Sequence, residues 1–173
     1  MGAGGLLMEI ASRPLPRALA KNMNKREKKI MGIILAAGNS TRMGKDNKLL
    51  KNIDGSPLIR NIALEITKSD LDSCSIVLGY QSDKVVDVIK DLNINLILNP
   101  LWKEGQASSL QAAINSLTSS YSDLLIMLGD LPGIKSDHIN RIIEEHLSSE
   151  NRLSKKTIPS FKGEKGNPVI CGK

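Results

Sequence analysis

Short apolar runs alternate with amphipathic stretches through most of this chain, and that alternation leaves few folds open. Ile33–Ala36 is apolar without interruption, the pattern of a strand whose two faces are both covered. Ser75–Leu78, Asn95–Leu98 and Asp123–Leu128 read as further strands. Between them, Leu58–Thr67 places Leu58, Ile59, Ile62 and Ile66 on one helical face, with Pro57 tolerated at its start. Lys84–Leu92 turns Val85, Val88 and Ile89 inward, and Gln106–Leu117 forms a helix after Gly105. Ser136–Leu147 is the clearest later helix, because Ile139, Ile142, Ile143 and Leu147 share a face and Asp137 sits in the first turn beside the positive end of the dipole. Lys156–Ser160 and Pro168–Cys171 are short extended segments suited to a sheet edge or hairpin. The expectation is a layered α/β sheet.

A length of 173 residues suits one substantial domain. The net charge of +6 is unevenly spread: residues 1–30 carry seven Lys/Arg against two Glu, a net +5, while 31–173 carry seventeen Lys/Arg against sixteen Asp/Glu, a net +1. Residues 1–30 therefore read as a basic, flexible N-terminal extension and 31–173 as the folded domain. The balanced body, with one Phe, two Tyr and one Trp, offers neither a long basic face nor a stacking platform, which argues against nucleic-acid binding. A cleft for a small anion needs only a few cations. Cys74 and Cys171 stand alone without metal-ligand spacing, as reduced thiols of a cytoplasmic protein. No apolar run is long enough to cross a bilayer, and Glu9 interrupts the weakly apolar Gly4–Ile10, so no membrane role is expected.

The chemistry concentrates in Ile33–Lys48, where an apolar strand runs into a polar loop carrying Arg42, Lys45 and Lys48. Gly38 and Gly44 let the main chain curve tightly, while Asn39, Ser40 and Thr41 offer polar contacts and caps. Arg42 suits bidentate contact with phosphoryl oxygens, and Lys48 is a compact point cation. Backbone N–H groups and cations in this order make an anion-receiving loop. The chain lacks both Gly-x-Gly-x-x-Gly and Gly-x-x-x-x-Gly-Lys-Ser/Thr, which argues against a dehydrogenase or a P-loop ATPase. His138 and His146 lie two helical turns apart with no Cys nearby, so surface or packing roles are expected for them rather than metal binding.

The phrase Leu35-Ala36-Ala37-Gly38-Asn39-Ser40-Thr41-Arg42-Met43-Gly44, followed by Lys48-Leu49-Leu50, closely resembles the nucleotide-binding signature of the molybdenum cofactor nucleotidyltransferases, and more narrowly their cytidylyltransferase branch. Glu104-Gly105-Gln106-Ala107-Ser108-Ser109-Leu110 resembles that family's loop and helix start after the third strand. Gly129-Asp130-Leu131-Pro132 resembles its acidic metal loop, and Lys165-Gly166-Asn167-Pro168-Val169 its substrate-side Gly-x-Pro segment. The resemblance covers about residues 31–173 and implies a Rossmann-like three-layer nucleotidyltransferase sheet with helices on both faces.

It also implies an activity: transfer of a cytidylyl group from CTP to the terminal phosphate of molybdenum cofactor, with release of pyrophosphate. Arg42, Lys48 and Asp130 would be the catalytic residues, Asp130 holding Mg2+ and the two cations stabilising charge. Leu35, Ala36, Ala37, Gly38, Arg42, Lys48, Gly105, Ser108 and Ser109 would bind the nucleotide. Ala37 stands where guanylyltransferase relatives commonly carry Gly, which favours CTP over GTP. Molybdoenzyme maturation proteins are the further partners the resemblance suggests.

Several alternatives stay open at this point. Asp130 is also readable as a turn residue held by neighbouring N–H groups, and Ser108 and Ser109 as ordinary helix-start hydrogen-bonding residues. A competing reading of the acceptor of a cytidylyl or guanylyl group is another small phosphorylated molecule, such as a methylerythritol phosphate. The relatives usually continue past the Gly-x-Pro segment with more sheet, a second acidic contribution and a C-terminal helix, whereas this chain stops at Lys173. A fold incomplete at its C terminus, and a noncatalytic nucleotide-binding protein, are therefore expectations as well. The loops after successive strands of an open α/β sheet converge on one edge, so Gly38–Lys48, Gly105–Ser109 and Asp130 are expected around one site.

Overall fold

The computed structural model describes residues 29–39, 47–118, 120–149 and 155–172. Most of the N-terminal extension and Arg42 lie outside the described residues. In chain order the elements are β1 (Ile30–Ala36), β2 (Asn52–Ile53), β3 (Ser56–Pro57), α1 (Leu58–Thr67), β4 (Ser73–Leu78), α2 (Ser82–Ile89), β5 (Asn95–Leu98) and α3 (Gln106–Asn115). They continue with β6 (Asp123–Leu128), α4 (Ser136–Ser148), β7 (Lys156–Thr157), β8 (Ser160–Phe161), β9 (Glu164–Lys165) and β10 (Val169–Gly172).

Among the described residues the central sheet has six strands, in the order β5-β4-β1-β6-β10-β7. β5, β4, β1 and β6 run parallel, with Ile34 of β1 opposite Ile76 on one side and Met127 on the other. β10 enters antiparallel between β6 and β7. Expected from sequence as an edge or hairpin strand, β10 is internal; β7 takes the edge, and β8 and β9 form a separate two-stranded hairpin. Pairing along β10 satisfies backbone groups that β6 would otherwise leave open on that side.

Alternation along the strands divides the core into two layers. Ile30, Ile34 and Ala36 of β1, with Ile76, Leu78, Leu125, Met127 and Ile170, meet the apolar faces of α1, α2 and α4. Ile59, Ile62 and Ile66 of α1 are almost wholly buried there, each contributing about 1.5–3 kcal/mol of burial free energy. Met31, Ile33, Leu35 and Ala37 point the other way and pack with Val77, Trp102 and Ala113, the last on α3. Both faces are thus covered, which is why β1 is buried along its whole length and reads as a continuous apolar run. The strand begins three residues before the expected Ile33, at Ile30, whose amide donates to Asp72 Oδ2 at 2.8 Å.

This is the layered α/β sheet that the alternation implied, with helices on both faces as the family resemblance implied. The chain leaves β1 for β4 through α1 on one face and reaches β6 from β5 through α3 on the other. The connections therefore diverge at the C-terminal ends of β1 and β6, where such sheets open a crevice. Among the described residues no helix is long and apolar enough to cross a membrane.

Candidate active site

At that divergence lies a cavity of about 450 Å3. Its floor is the end of β1 and the chain leaving it, Leu35 through Asn39, together with Leu128 and Gly129 from the end of β6. Gly129 is fixed there by its amide, which donates to Leu35 O at 2.9 Å. One wall carries Lys48 and Leu49, and Asp130 faces it directly after β6. The Lys48 ammonium ion-pairs with Asp130 Oδ2 across 82 residues of sequence, both side chains about one-third exposed.

Lys48 opens a 3₁₀ turn, Lys48–Leu50, preceded by Asn47, whose Oδ1 accepts the Leu49 amide at 3.0 Å. A short capped turn holds the lysine backbone while its four-carbon stem remains free to swing. Asn47 is buried, and its Nδ2 has no acceptor among the described residues.

A further wall is formed by Trp102, Lys103, Gly105, Gln106 and Ser109. Trp102 and Lys103 belong to a second 3₁₀ turn, Trp102–Glu104, and Gly105 joins it to α3 with φ of +100°, a backbone region that favours glycine. The indole is held against Tyr80, ring centroids 5.5 Å apart, with Lys103 Nζ 5.6 Å from its centre. It sits where a side chain on residue 79 would otherwise be: a Cβ on Gly79 would come within 2.5 Å of Trp102 Cβ and 2.7 Å of Ala37 O.

Asn99 anchors this wall. Its side-chain Oδ1 accepts the Leu101 amide at 3.0 Å, while Nδ2 donates to Ser108 Oγ at 2.9 Å and Ser109 Oγ at 3.1 Å. Ser108 Oγ in turn donates to Leu101 O or Gly105 O, each at 2.8 Å. The two serines thus take part in hydrogen bonding at the start of α3; Ser109 also borders the cavity, and Ser108 is not among the residues lining it.

Eight of the expected residues therefore surround one space: Leu35, Ala36, Ala37, Gly38, Lys48, Gly105, Ser109 and Asp130. Arg42 falls outside the described residues. Sequence reasoning missed Trp102, Lys103 and Gln106. The signal available for Trp102 was its place as the single Trp of the chain, in the loop between a strand and Gly105. The Gly-x-Pro segment also reaches this edge, since Asn167 Oδ1 accepts the Leu128 amide at 3.0 Å.

Among the described residues no cluster of three or more His, Cys, Asp or Glu is placed to hold a metal ion. Asp130 is the one carboxylate among the described residues lining the cavity. A single accessible carboxylate fits Mg2+, which keeps several waters and completes its shell with substrate phosphates, and does not fit an all-protein cage. The histidines divide: His138 is exposed and its Nδ1 accepts the Lys135 amide at 3.3 Å, whereas His146 is buried at the far end of the sheet.

A model of the MobA-like NTP transferase domain matches residues 32–173. The chain belongs to that nucleotidyltransferase family. Among characterised sequences it is similar to the bifunctional protein GlmU of Prochlorococcus marinus, 27% identical over 141 residues that make up 81% of this chain and 30% of that protein. The chain thus spans less than a third of that relative's length.

Among solved structures the MobA-like domain resembles Rv0371c of Mycobacterium tuberculosis, with TM-score 0.73 and 21% identity over 85% of this chain and 72% of the other. A complex of the mycobacterial protein with manganese gives 0.66 and 18%, over 84% and 72%. The 4-diphosphocytidyl-2C-methyl-D-erythritol synthase of Anaerococcus prevotii gives 0.65 and 14%, over 87% and 73%. At these identities the likeness is one of fold.

Proposed function

We propose that this MobA-like domain transfers a cytidylyl group from CTP to the terminal phosphate of molybdenum cofactor and releases pyrophosphate. The observation that carries the reading is the meeting of Lys48 and Asp130 across a cavity floored by Leu35–Asn39, at the diverging ends of β1 and β6. An acceptor phosphate oxygen forms a bond to the α-phosphorus of the nucleotide. The bond from that phosphorus to the bridging oxygen breaks, and its electrons leave with pyrophosphate. No protein nucleophile is needed; the residues position the two phosphates and stabilise charge.

In this scheme Leu35, Ala36, Ala37 and Gly38 form the nucleotide floor, Gly105 and Ser109 its wall, and Ser108 supports that wall. Arg42 and Lys48 are the cations assigned to the phosphates, where their positive charge would stabilise the departing pyrophosphate. Asp130 would hold Mg2+, which when bound neutralises phosphate charge and orients it for in-line displacement. The manganese complex of the mycobacterial neighbour supports a divalent cation in this fold. Ala37, in place of glycine, supports CTP over GTP.

A second reading has the same nucleotide chemistry with a different acceptor, a small sugar phosphate such as methylerythritol phosphate. The fold likeness to the Anaerococcus synthase favours it. Both readings are tested by one matrix: pyrophosphate release with each of CTP and GTP, with and without Mg2+, against purified molybdenum cofactor and methylerythritol phosphate. Release requiring CTP, Mg2+ and molybdenum cofactor is the expected result. Release with the sugar phosphate alone selects the second reading, and binding of CTP without any release selects a noncatalytic nucleotide-binding protein.

A further inference from the structure

We propose that Lys48 is a resident counter-ion that occupies Asp130 until nucleotide phosphates draw it away, so that capture of the divalent cation depends on the nucleotide. The inference deepens the nucleotidyl-transfer reading and rests on it. Its starting point is that the one carboxylate among the described cavity-lining residues is already paired, with Lys48. A metal ion approaching Asp130 must therefore displace an ammonium group from the oxygen it needs.

The backbones on both sides are held. Lys48 sits in a turn closed by the Leu50 amide on Asn47 O at 3.0 Å and the Lys51 amide on Lys48 O at 3.2 Å. Asp130 follows Gly129, which is tied to Leu35 O. What remains free is the lysine stem, whose compact charge is able to pass from a carboxylate to a phosphate within the same cavity. With each side chain about one-third exposed, the pair is weak enough to exchange. Among the described residues the other cation lining the cavity, Lys103, is placed over the Trp102 ring and shows no ion pair with Asp130.

A triphosphate entering the cavity offers Lys48 several oxygens of higher charge than one carboxylate. As the ammonium moves to them, Asp130 is released, and the phosphates themselves supply the remaining metal ligands. Nucleotide and metal then favour each other, and by linkage each raises the other's affinity by the same factor.

The test reads binding in the full chain, without turnover. Free Mn2+ is followed by electron paramagnetic resonance with and without CTP, subtracting a protein-free Mn2+–CTP titration, and CTP binding by the emission of Trp102, the single Trp of the chain. In the unaltered protein CTP is expected to raise Mn2+ affinity about tenfold or more. Lys48→Met is expected to raise nucleotide-free Mn2+ affinity about fivefold. Lys48→Arg, which keeps the pair, and Lys103→Met, which removes a cavity cation that does not pair with Asp130, are expected to leave it within about twofold.

Unchanged or lowered Mn2+ affinity in Lys48→Met would overturn the exchange, and CTP-dependent pyrophosphate release by the unaltered protein would show that the transfer reading survives. A rise of equal size in Lys103→Met would reduce the effect to general repulsion and also overturn it. If no nucleotide alters Trp102 emission or the Mn2+ signal, the transfer reading fails together with the exchange.

Discussion

His146 Nε2 stands 3.0 Å from Asp123 Oδ1, and both side chains are wholly buried at the end of the sheet opposite the cavity. The imidazole continues to Thr157 of β7 through Nδ1 at 2.9 Å, while Asp123 Oδ2 accepts Ser122 Oγ at 2.5 Å. The ring thereby ties α4 to β6 and to the edge strand. His146→Ala removes one partner of a buried carboxylate and is expected to cost about 1.5–3 kcal/mol, read as a lower midpoint in urea unfolding. CTP affinity of the folded variant should stay unchanged, because the network is at the other end of the sheet.

Gly79→Ala tests the seat of Trp102. The added Cβ would lie 2.7 Å from Ala37 O as well as against the indole, so neither neighbour yields without moving a strand end or the wall. A loss of about 1–3 kcal/mol is expected, together with a shifted Trp102 emission maximum and weaker CTP binding. Wild-type emission and stability in this variant would contradict the packing described.

Arg60 clamps Asp91 through both guanidinium nitrogens, at 2.6 and 2.7 Å, and also donates to Val88 O at 2.7 Å. The hydrogen bonds from Arg60 hold the Asp91 carboxyl down to about 2, from a usual 3.8. Because the folded value is depressed, the clamp's contribution is fully present above the unfolded value near pH 4 and fades as pH falls through about 2. Glu65 shifts in the same direction, chiefly because the Ser136 amide donates to its carboxylate at 2.9 Å. Carboxyl carbon shifts followed by NMR should show Asp91 titrating at about 2, well below its usual 3.8, and Arg60→Gln should return it to the ordinary range.

For catalysis, Lys48→Ala, Asp130→Asn and Arg42→Ala are each expected to lower kcat for pyrophosphate release about 100- to 1,000-fold, the scale of losing one charge-stabilising group. Asp130→Asn should in addition change the Mg2+ concentration needed for half-maximal rate, while Lys48→Ala and Arg42→Ala should act mainly on phosphate placement. Near-wild-type rates in all three folded variants would reject the site.

Cys74 and Cys171 are both free thiols. Burial pushes each thiol above its usual 9.0, and at Cys171 nearby Asp123 adds to the rise while Lys156 opposes it. Thiolate is therefore scarce at neutral pH, and both should react slowly with a disulfide reagent until the protein is unfolded in urea.

The sheet was legible because β1 is covered on both faces and so needs an uninterrupted apolar sequence. Strand pairing was not: the four residues of β10 carry no mark of which neighbours they join, and their antiparallel insertion beside β6 depends on contacts 40 or more residues away in sequence. Lys48 and Asp130 were recognisable singly, and their meeting follows from parallel strands ending on one edge. Trp102 escaped notice since one aromatic residue in a loop has no period to betray it. The packing role open to His146 in the sequence is the one it takes: it continues the Ile139, Ile143 face at helical spacing, and burial on that face required polar partners.

Asn99 has a consequence that reaches beyond its own hydrogen bonds. By joining the end of β5, the Trp102 turn and the first turn of α3 through a single buried amide, it fixes the shape of that side of the crevice during folding. Conformational freedom is surrendered once, when the chain folds, and not again at each encounter with a ligand. A visiting molecule meets a finished surface on that side, and adjustment is left to the flexible cation on Asp130.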